Sequence, residues 1–272
     1  MSVDGRLREL GVELIPSRPH PLDAVARQAN KLLGLREPTD GPVLLVDNDV
    51  CLLTDVTELE GRNVRATLEG RARVSEEQWD HIAATTGLRP LATEWVPLHE
   101  EVRAREKARS PVANGRLYLN SGVVWVRRPL VFEALWAASI EAIANAFDGH
   151  PLSTRWVQQS DQVGLATAVA EHGGFDPLSP VYNCYSACLR LGLAEQAKIL
   201  HLTKLPLDAL GFSNAIVAYW ENRVLGKIRR AKSGTDTEQE RILDEATSVR
   251  DRLLRLVAES GLDSFSTVTG EL

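Results

Sequence analysis

Apolar and polar positions alternate along this chain with two periods, and the switches between them outline its elements. Leu7–Pro16 reads as a helix end, a stop at Gly11 and a short strand from Val12 to Ile15. From Pro21 to Leu35 the apolar residues Leu22, Val25, Ala26, Ala29, Leu32 and Leu33 recur at helical spacing. Gly34, Pro38 and Gly41 then break the pattern before a continuous apolar run, Val43–Val46, that enters Asp47-Asn48-Asp49. Such a run reads as a strand covered on both faces, and strand, helix, strand in succession predicts a parallel sheet. Val64–Leu68 is a short strand. Ser75–Thr86 is a helix with Trp79, Ile82 and Ala83 on its apolar face and a capping-box pair in Ser75 and Gln78.

Residues 87–115 lose periodicity around Pro90, Pro97 and Pro111, as a long functional excursion does. Arg116–Arg127 is a strand interrupted by Asn120-Ser121-Gly122. Helices are expected over Val131–Phe147 and over Ser160–Glu171, the second opening on a Ser-Asp-Gln cap. Phe175–Tyr182 leads to Asn183, and a short strand at Ile199–Leu202 carries His201. Two last helices, Asn214–Lys232 and Thr237–Glu259, flank Ser233–Asp236. The second repeats Ile242, Ala246, Val249, Leu253 and Leu256 in steps of 4, 3, 4 and 3, the seam of a hairpin packed on its own domain or of a homodimer. Residues 1–212 are thus expected to form one domain and 213–272 a C-terminal helical hairpin and tail.

Composition narrows the class. The 272 residues are 44% hydrophobic and 25% charged, as in ordinary globular proteins, and the net charge of −6 gives no footprint for nucleic acid. The cluster Lys227, Arg229, Arg230 and Lys232 reads as a solvated face. The first residues lack the apolar core of a signal peptide, and no run approaches the roughly 18 apolar residues of a membrane helix. A soluble, cytoplasmic protein is expected. Cys51, Cys184 and Cys188 form no disulfide or metal-ligand spacing and read as free thiols.

The chemistry concentrates at Asp47 and Asp49. The carboxyl ends of strands are where open α/β sheets bind ligands. Two carboxylates on a turn there can share one hard divalent cation, whose remaining ligands would be phosphate oxygens. The alternative is a plain turn in which Asp49 caps the next segment.

The order of the signals is more specific than any one of them. Asp47-Asn48-Asp49, then Asn120-Ser121-Gly122-Val123-Val124, Ser160-Asp161-Gln162, Tyr182-Asn183 and His201 follow one another. Over Leu7–Pro206 this series resembles the GT-A nucleotide-diphospho-sugar transferases, and most closely glycosyltransferase family 8. The resemblance implies an α/β, Rossmann-like fold with a mostly parallel central sheet, flanking helices and the C-terminal hairpin. It implies a metal-dependent transfer from a nucleotide sugar, UDP-linked, to a glycan, lipid or protein hydroxyl, with retention. Asp47, Asp49 and His201 would bind Mn²⁺ or Mg²⁺. Lys31 would lie near the donor sugar or diphosphate, and Lys204 at the diphosphate. Asn120, Ser121 and Gly122 would line the donor pocket, Asp161 and Gln162 would face the site of transfer, and Asn183 would sit beside the acceptor. Asp161 is also the candidate base should the reaction invert.

The chain departs from that family in two places. It starts at or just before the first helix, so the family's first strand is expected to be missing. The tail His201-Leu202-Thr203-Lys204-Leu205-Pro206 lacks the family's tryptophan. Two other readings compete. One is a catalytically degenerate binding protein on the same fold. The other is a haloacid-dehalogenase-like phosphatase, which also opens on an apolar run and Asp-x-Asp but needs a late acidic pair, usually in a Gly-Asp context, and this chain has no Gly-Asp dipeptide.

Overall fold

The computed structural model describes residues 15, 18–23, 26–36, 41–61, 63–68, 74–91, 116–154, 157, 161–185, 189, 193–202, 212–231 and 235–260. The expected helix end at Leu7, the strand from Val12, the Ser160 cap, Cys188 and Lys204 fall outside them, Ile15 excepted. Six strands are described: β1 (Val43–Val46), β2 (Val50–Leu52), β3 (Val64–Leu68), β4 (Leu119–Val126), β5 (Phe175–Pro177) and β6 (Ile199–His201). A four-stranded sheet runs β1-β4-β3-β5, and β2 pairs with β6 in a separate ribbon.

The fold is mixed α/β, but the expected mostly parallel sheet needs correction. β4 is antiparallel to both β1 and β3, and the parallel pair among the described strands is β3 with β5. β1, β3 and β5 therefore point the same way, and β4 runs against them. The apolar pattern could not reveal this. All eight residues of β4 are buried, and such a run reports cover on both faces, not direction.

Asn120-Ser121-Gly122 does not interrupt β4, as the sequence suggested, but shifts its register. Ala66 of β3 faces Val124, whereas the next residue, Thr67, faces Asn120. Ser121, Gly122 and Val123 are thereby left out of the β3 ladder, a bulge that re-aims side chains at this end of the sheet.

α1 (Glu76–Thr86) packs on α2 (Pro129–Ala146) and α3 (Asp161–Glu171), which share the core of the sheet. The capping box of α1 is present in full, with Ser75 and Gln78 exchanging hydrogen bonds. Pro129 opens α2 at a position where no N–H is required. The segment read as a helix from Pro21 is instead a turn followed by a 3₁₀ helix, Arg27–Leu35, because Ala26 is extended (φ −149°, ψ 93°). That helix still buries its predicted face, Ala29 and Leu32, in a core shared with Leu45, Val124, Trp136 and Leu165.

α2 and α3 approach closely at Gly164. A Cβ there would lie 2.6 Å from Ile140 Cγ1. Gly164→Ala should therefore overpack this contact and cost about 1–3 kcal/mol, read as a lower midpoint in urea unfolding with an unchanged slope.

The C-terminal part is a near-continuous helix with a π-helical middle, α4 (Phe212–Tyr219), Trp220–Leu225 and α5 (Gly226–Ala231), followed by α6 (Asp236–Ser260). α6 buries Ile242, Ala246, Val249, Leu253 and Val257. Leu256, partly buried, packs against the same core, so the expected steps of 4, 3, 4 and 3 are joined by Val257. The helix packs on Trp220 and Val224 and, through the same core, on Leu53, Cys184 and Leu200 around the β2–β6 ribbon. Trp220 Nε1 donates to Ala246 O at 2.7 Å. The seam is covered within the chain. No described helix is long and apolar enough to cross a membrane.

Candidate functional site

β1 leaves the sheet at Asp47, whose N–H donates to Gly122 O on β4 (2.9 Å), and the chain turns so that Val50 N–H reaches Asp47 O (3.3 Å). β2 then pairs with β6 in a register that sets Val50 opposite His201. Leu202 N–H closes the pair on Asp49 O at 2.7 Å. This ribbon carries a histidine about 150 positions away in sequence to the Asp-x-Asp turn. His201 Nε2 lies 3.1 Å from Asp49 Oδ1 and 3.8 Å from Asp47 Oδ2. One ligand atom from each of Asp47, Asp49 and His201 falls within 4.8 Å of the others. Two carboxylates and an imidazole at these separations could hold a metal ion. The His201 hydrogen bond holds the Asp49 carboxyl below its usual range, against the opposing effect of burial.

Gly122 is what admits the histidine ring. A Cβ at that position would lie 2.1 Å from His201 Cε1 and 2.5 Å from Nδ1. The sequence-based reading gave Gly122 a close approach to the donor; the close approach in the structure is to His201.

The second half of the site is built around Lys31, delivered by the 3₁₀ helix. Its Nζ lies 2.6 Å from Asp47 Oδ1 and 2.6 Å from Asp161 Oδ2. It also donates toward Ser121 Oγ at 3.2 Å and Ser121 O at 3.3 Å. Ser121 Oγ donates to Asp161 Oδ2 at 2.6 Å. Asp161 opens α3, where a carboxylate suits the helix dipole, and Trp136 Nε1 fixes its backbone carbonyl at 2.8 Å. Asp47 thus divides its oxygens, Oδ1 to the lysine and Oδ2 to the histidine side.

Burial by itself would lower the Lys31 pKa, but the adjacent Asp161 and Asp47 carboxylates outweigh it and raise the group above its ordinary 10.5. Between 10.5 and the raised value the folded chain holds a proton that the unfolded chain has lost. Stability should therefore be fully present below pH 10.5 and fall as pH rises through the folded value. Lys31→Met should lack this alkaline slope, which urea midpoints on either side of pH 10.5 would test.

Two further residues make buried hydrogen bonds beside the site. Asn183, expected beside an acceptor, is fully buried, and its Oδ1 lies 3.0 Å from His201 Nδ1. Asn120, expected to line the donor pocket, is also buried and accepts from Gly122 N–H at 2.8 Å. Gln162 Oε1 accepts from Tyr118 OH at 3.0 Å. Ser121, Lys31 and Asp161 do come together beside the acidic turn. The sequence offered no sign of Thr67, whose Oγ1 accepts from Asn183 Nδ2 at 2.8 Å. A threonine in a five-residue strand looks like any β-branched residue until the bulge places it.

The model of one protein family, described as the Rhodobacterales glycosyltransferase domain, matches residues 1–173. That span holds Lys31, Asp47, Asp49, Ser121, Gly122 and Asp161, and stops short of Asn183 and His201. Comparison with curated proteins finds no match. The family match covers more than half of the chain, and the chain belongs to the Rhodobacterales glycosyltransferase domain family.

Proposed function

We propose that this protein is a metal-dependent, hexosyltransferase-like glycosyltransferase of the GT-A type that moves a sugar from a UDP-linked donor to an acceptor hydroxyl, with retention. The observation that carries the reading is the convergence of Asp47, Asp49 and His201 beside the Lys31–Asp161–Ser121 cluster in a chain of a glycosyltransferase family. Asp47 Oδ2, Asp49 Oδ1 and His201 Nε2 would hold Mn²⁺ or Mg²⁺. When bound, that ion would offset the charge that builds on the departing diphosphate.

The remaining residues have their own tasks. Lys31 fixes Asp47 Oδ1 and Asp161 Oδ2 at once, tying the metal side to the side where the sugar would lie. Asp161 Oδ2 already receives Lys31 and Ser121. That occupancy suits orienting a donor sugar better than stripping a proton from an acceptor, which favours a front-face, retaining route over an inverting one. The three co-directional strands with one opposed strand at the Asp-x-Asp support the GT-A assignment. Lys204 contacting the diphosphate, residues 1–212 as the transferase domain with 213–272 as an appended hairpin, and a homodimer through faces of that hairpin other than its covered seam complete the reading. A cytoplasmic location agrees with free thiols at Cys51 and Cys184.

The test is thermal unfolding with UDP, GDP and their sugar conjugates, each with and without Mn²⁺. Ligand at 100 times its Kd adds about 2.7 kcal/mol, worth several degrees of Tm in a chain of this size. A shift that needs both UDP and Mn²⁺, followed by release of UDP from the sugar conjugate, is the expected result. A shift without turnover would leave a binding protein on a transferase fold. No shift with any nucleotide would overturn the donor assignment.

A further inference from the structure

We infer that Asn183, Asn120 and Thr67 form a buried relay that fixes a hydrogen on Nδ1 of His201, so that Nε2 is the ring atom available to a metal. The backbone N–H of Gly122 can only donate, and it meets Asn120 at 2.8 Å. The Asn120 atom it meets is therefore the carbonyl oxygen, Oδ1. The same oxygen lies 2.8 Å from the Asn183 amide, which must turn its Nδ2 toward it. The other Nδ2 hydrogen goes to Thr67 Oγ1 at 2.8 Å. Both hydrogens of the Asn183 amide are then used, and its remaining atom, Oδ1, faces His201 Nδ1 at 3.0 Å. An amide oxygen only accepts. Nδ1 therefore carries a hydrogen, and Nε2, 3.1 Å from Asp49 Oδ1, is the ring atom left to a metal, which would take the place of its hydrogen bond to Asp49.

Reversing any member of the relay is unfavourable. A flipped Asn183 would set two amide oxygens 2.8 Å apart. A flipped Asn120 would set its NH₂ against the Gly122 N–H. Water has little access to repair either fault: relative exposure is 0% for Asn183, 2% for Thr67, 5% for His201 and 6% for Asn120. A buried polar group left without its partner is heavily penalised, so the two asparagines and the threonine hold one orientation. Histidine metal ligands generally depend on an outer partner of this kind. Here three side chains and a backbone N–H supply it in series. Asn183 and Thr67 are positioning residues in this scheme, since neither reaches the metal side of the ring. The relay rests on the proposed metal site for its purpose, though not for its geometry.

The test uses the full chain labelled with ¹⁵N-histidine. NMR should show Nδ1 of His201 protonated in metal-free protein and in protein loaded with Zn²⁺. A bare Nδ1 in either form would overturn the relay. Mn²⁺ affinity, measured by electron paramagnetic resonance, should fall by about 10–100-fold in Asn183→Ala. It should fall less in Thr67→Val and recover in Thr67→Ser. A folded Asn183→Ala protein that binds Mn²⁺ as tightly as the unaltered chain would also refute it. Should Asn183→Ala fail to fold, Thr67→Val decides, because it keeps the side-chain shape and removes one acceptor; unchanged Mn²⁺ affinity there refutes the relay. A protonated Nδ1 in a protein that binds no divalent metal would leave the relay intact and overturn the metal site instead.

Discussion

Gly122→Ala should eliminate divalent-metal binding, and with it any metal-dependent response to UDP. The new methyl carbon would occupy space 2.1 Å from His201 Cε1, 2.5 Å from Nδ1 and 3.0 Å from Asn120 Oδ1. The ring has little room to retreat. Its backbone is tied to Cys184 O at 3.1 Å and paired with Val50, and Asn183 holds its Nδ1. One added methyl therefore either expels the imidazole from the site or spreads β4 from the β2–β6 ribbon. Overpacking of this kind typically costs about 1–3 kcal/mol, a few degrees of Tm. The loss of metal affinity should be larger than that figure suggests, because the displaced ring carries a ligand atom, Nε2. Mn²⁺ titration alongside a melting curve would check this. A stable Gly122→Ala protein with unaltered Mn²⁺ affinity would contradict the placement of His201.

Asp49→Ala and His201→Ala should both abolish Mn²⁺-dependent UDP binding, yet they should differ in stability. Each removes one of three metal ligands, so affinity should drop by more than the roughly 10–100-fold expected for an outer partner. Asp49 sits on a half-exposed turn, and its removal leaves the backbone pairing of Leu202 to Asp49 O unchanged. The Asp49→Ala fold should stay close to the unaltered chain in stability. His201 is buried, and its removal strands Asn183 Oδ1 in a dry setting. An unsatisfied buried acceptor costs about 1–3 kcal/mol, to which the cavity adds. Thermal melts without metal, then Mn²⁺ and UDP titrations, separate these two effects. Equal stability of the two variants would mean that the buried relay contributes nothing to the fold. Retained metal-dependent binding in both would refute the ligand assignment.

Local signals were legible wherever one stretch of chain decides its own structure. Val43–Val46 running into Asp47 and Asp49 gave the strand and its acidic end; Ser75 and Gln78 gave a helix start; the apolar spacing over Val131–Phe147 gave the long helix. The ordered motifs also brought Asp47, Asp49 and His201 together as one group, which their geometry bears out. Strand direction was not legible, since a wholly buried strand such as β4 has the same composition whichever way it runs. Nor was the 3₁₀ start at Arg27, where the extended Ala26 overrides a good helical spacing.

The sequence by itself thus determined which residue types stand at the ends of which elements: two carboxylates after β1, a glycine in β4, an aspartate opening α3, a histidine in β6. The tertiary structure decided what each one faces. The bulge between Ala66 and Thr67 turns Asn120 and Thr67 toward Asn183, and the β2–β6 register turns His201 onto Gly122. Hydrogen bonds between residues 63 and 116 positions apart, Asn183 to Asn120 and Asn183 to Thr67, depend on where the chain returns in space. Neither periodicity nor propensity carries that information, because both are set by neighbours within a few residues, whereas orientation in a buried polar relay is set by whichever donor comes to lie opposite.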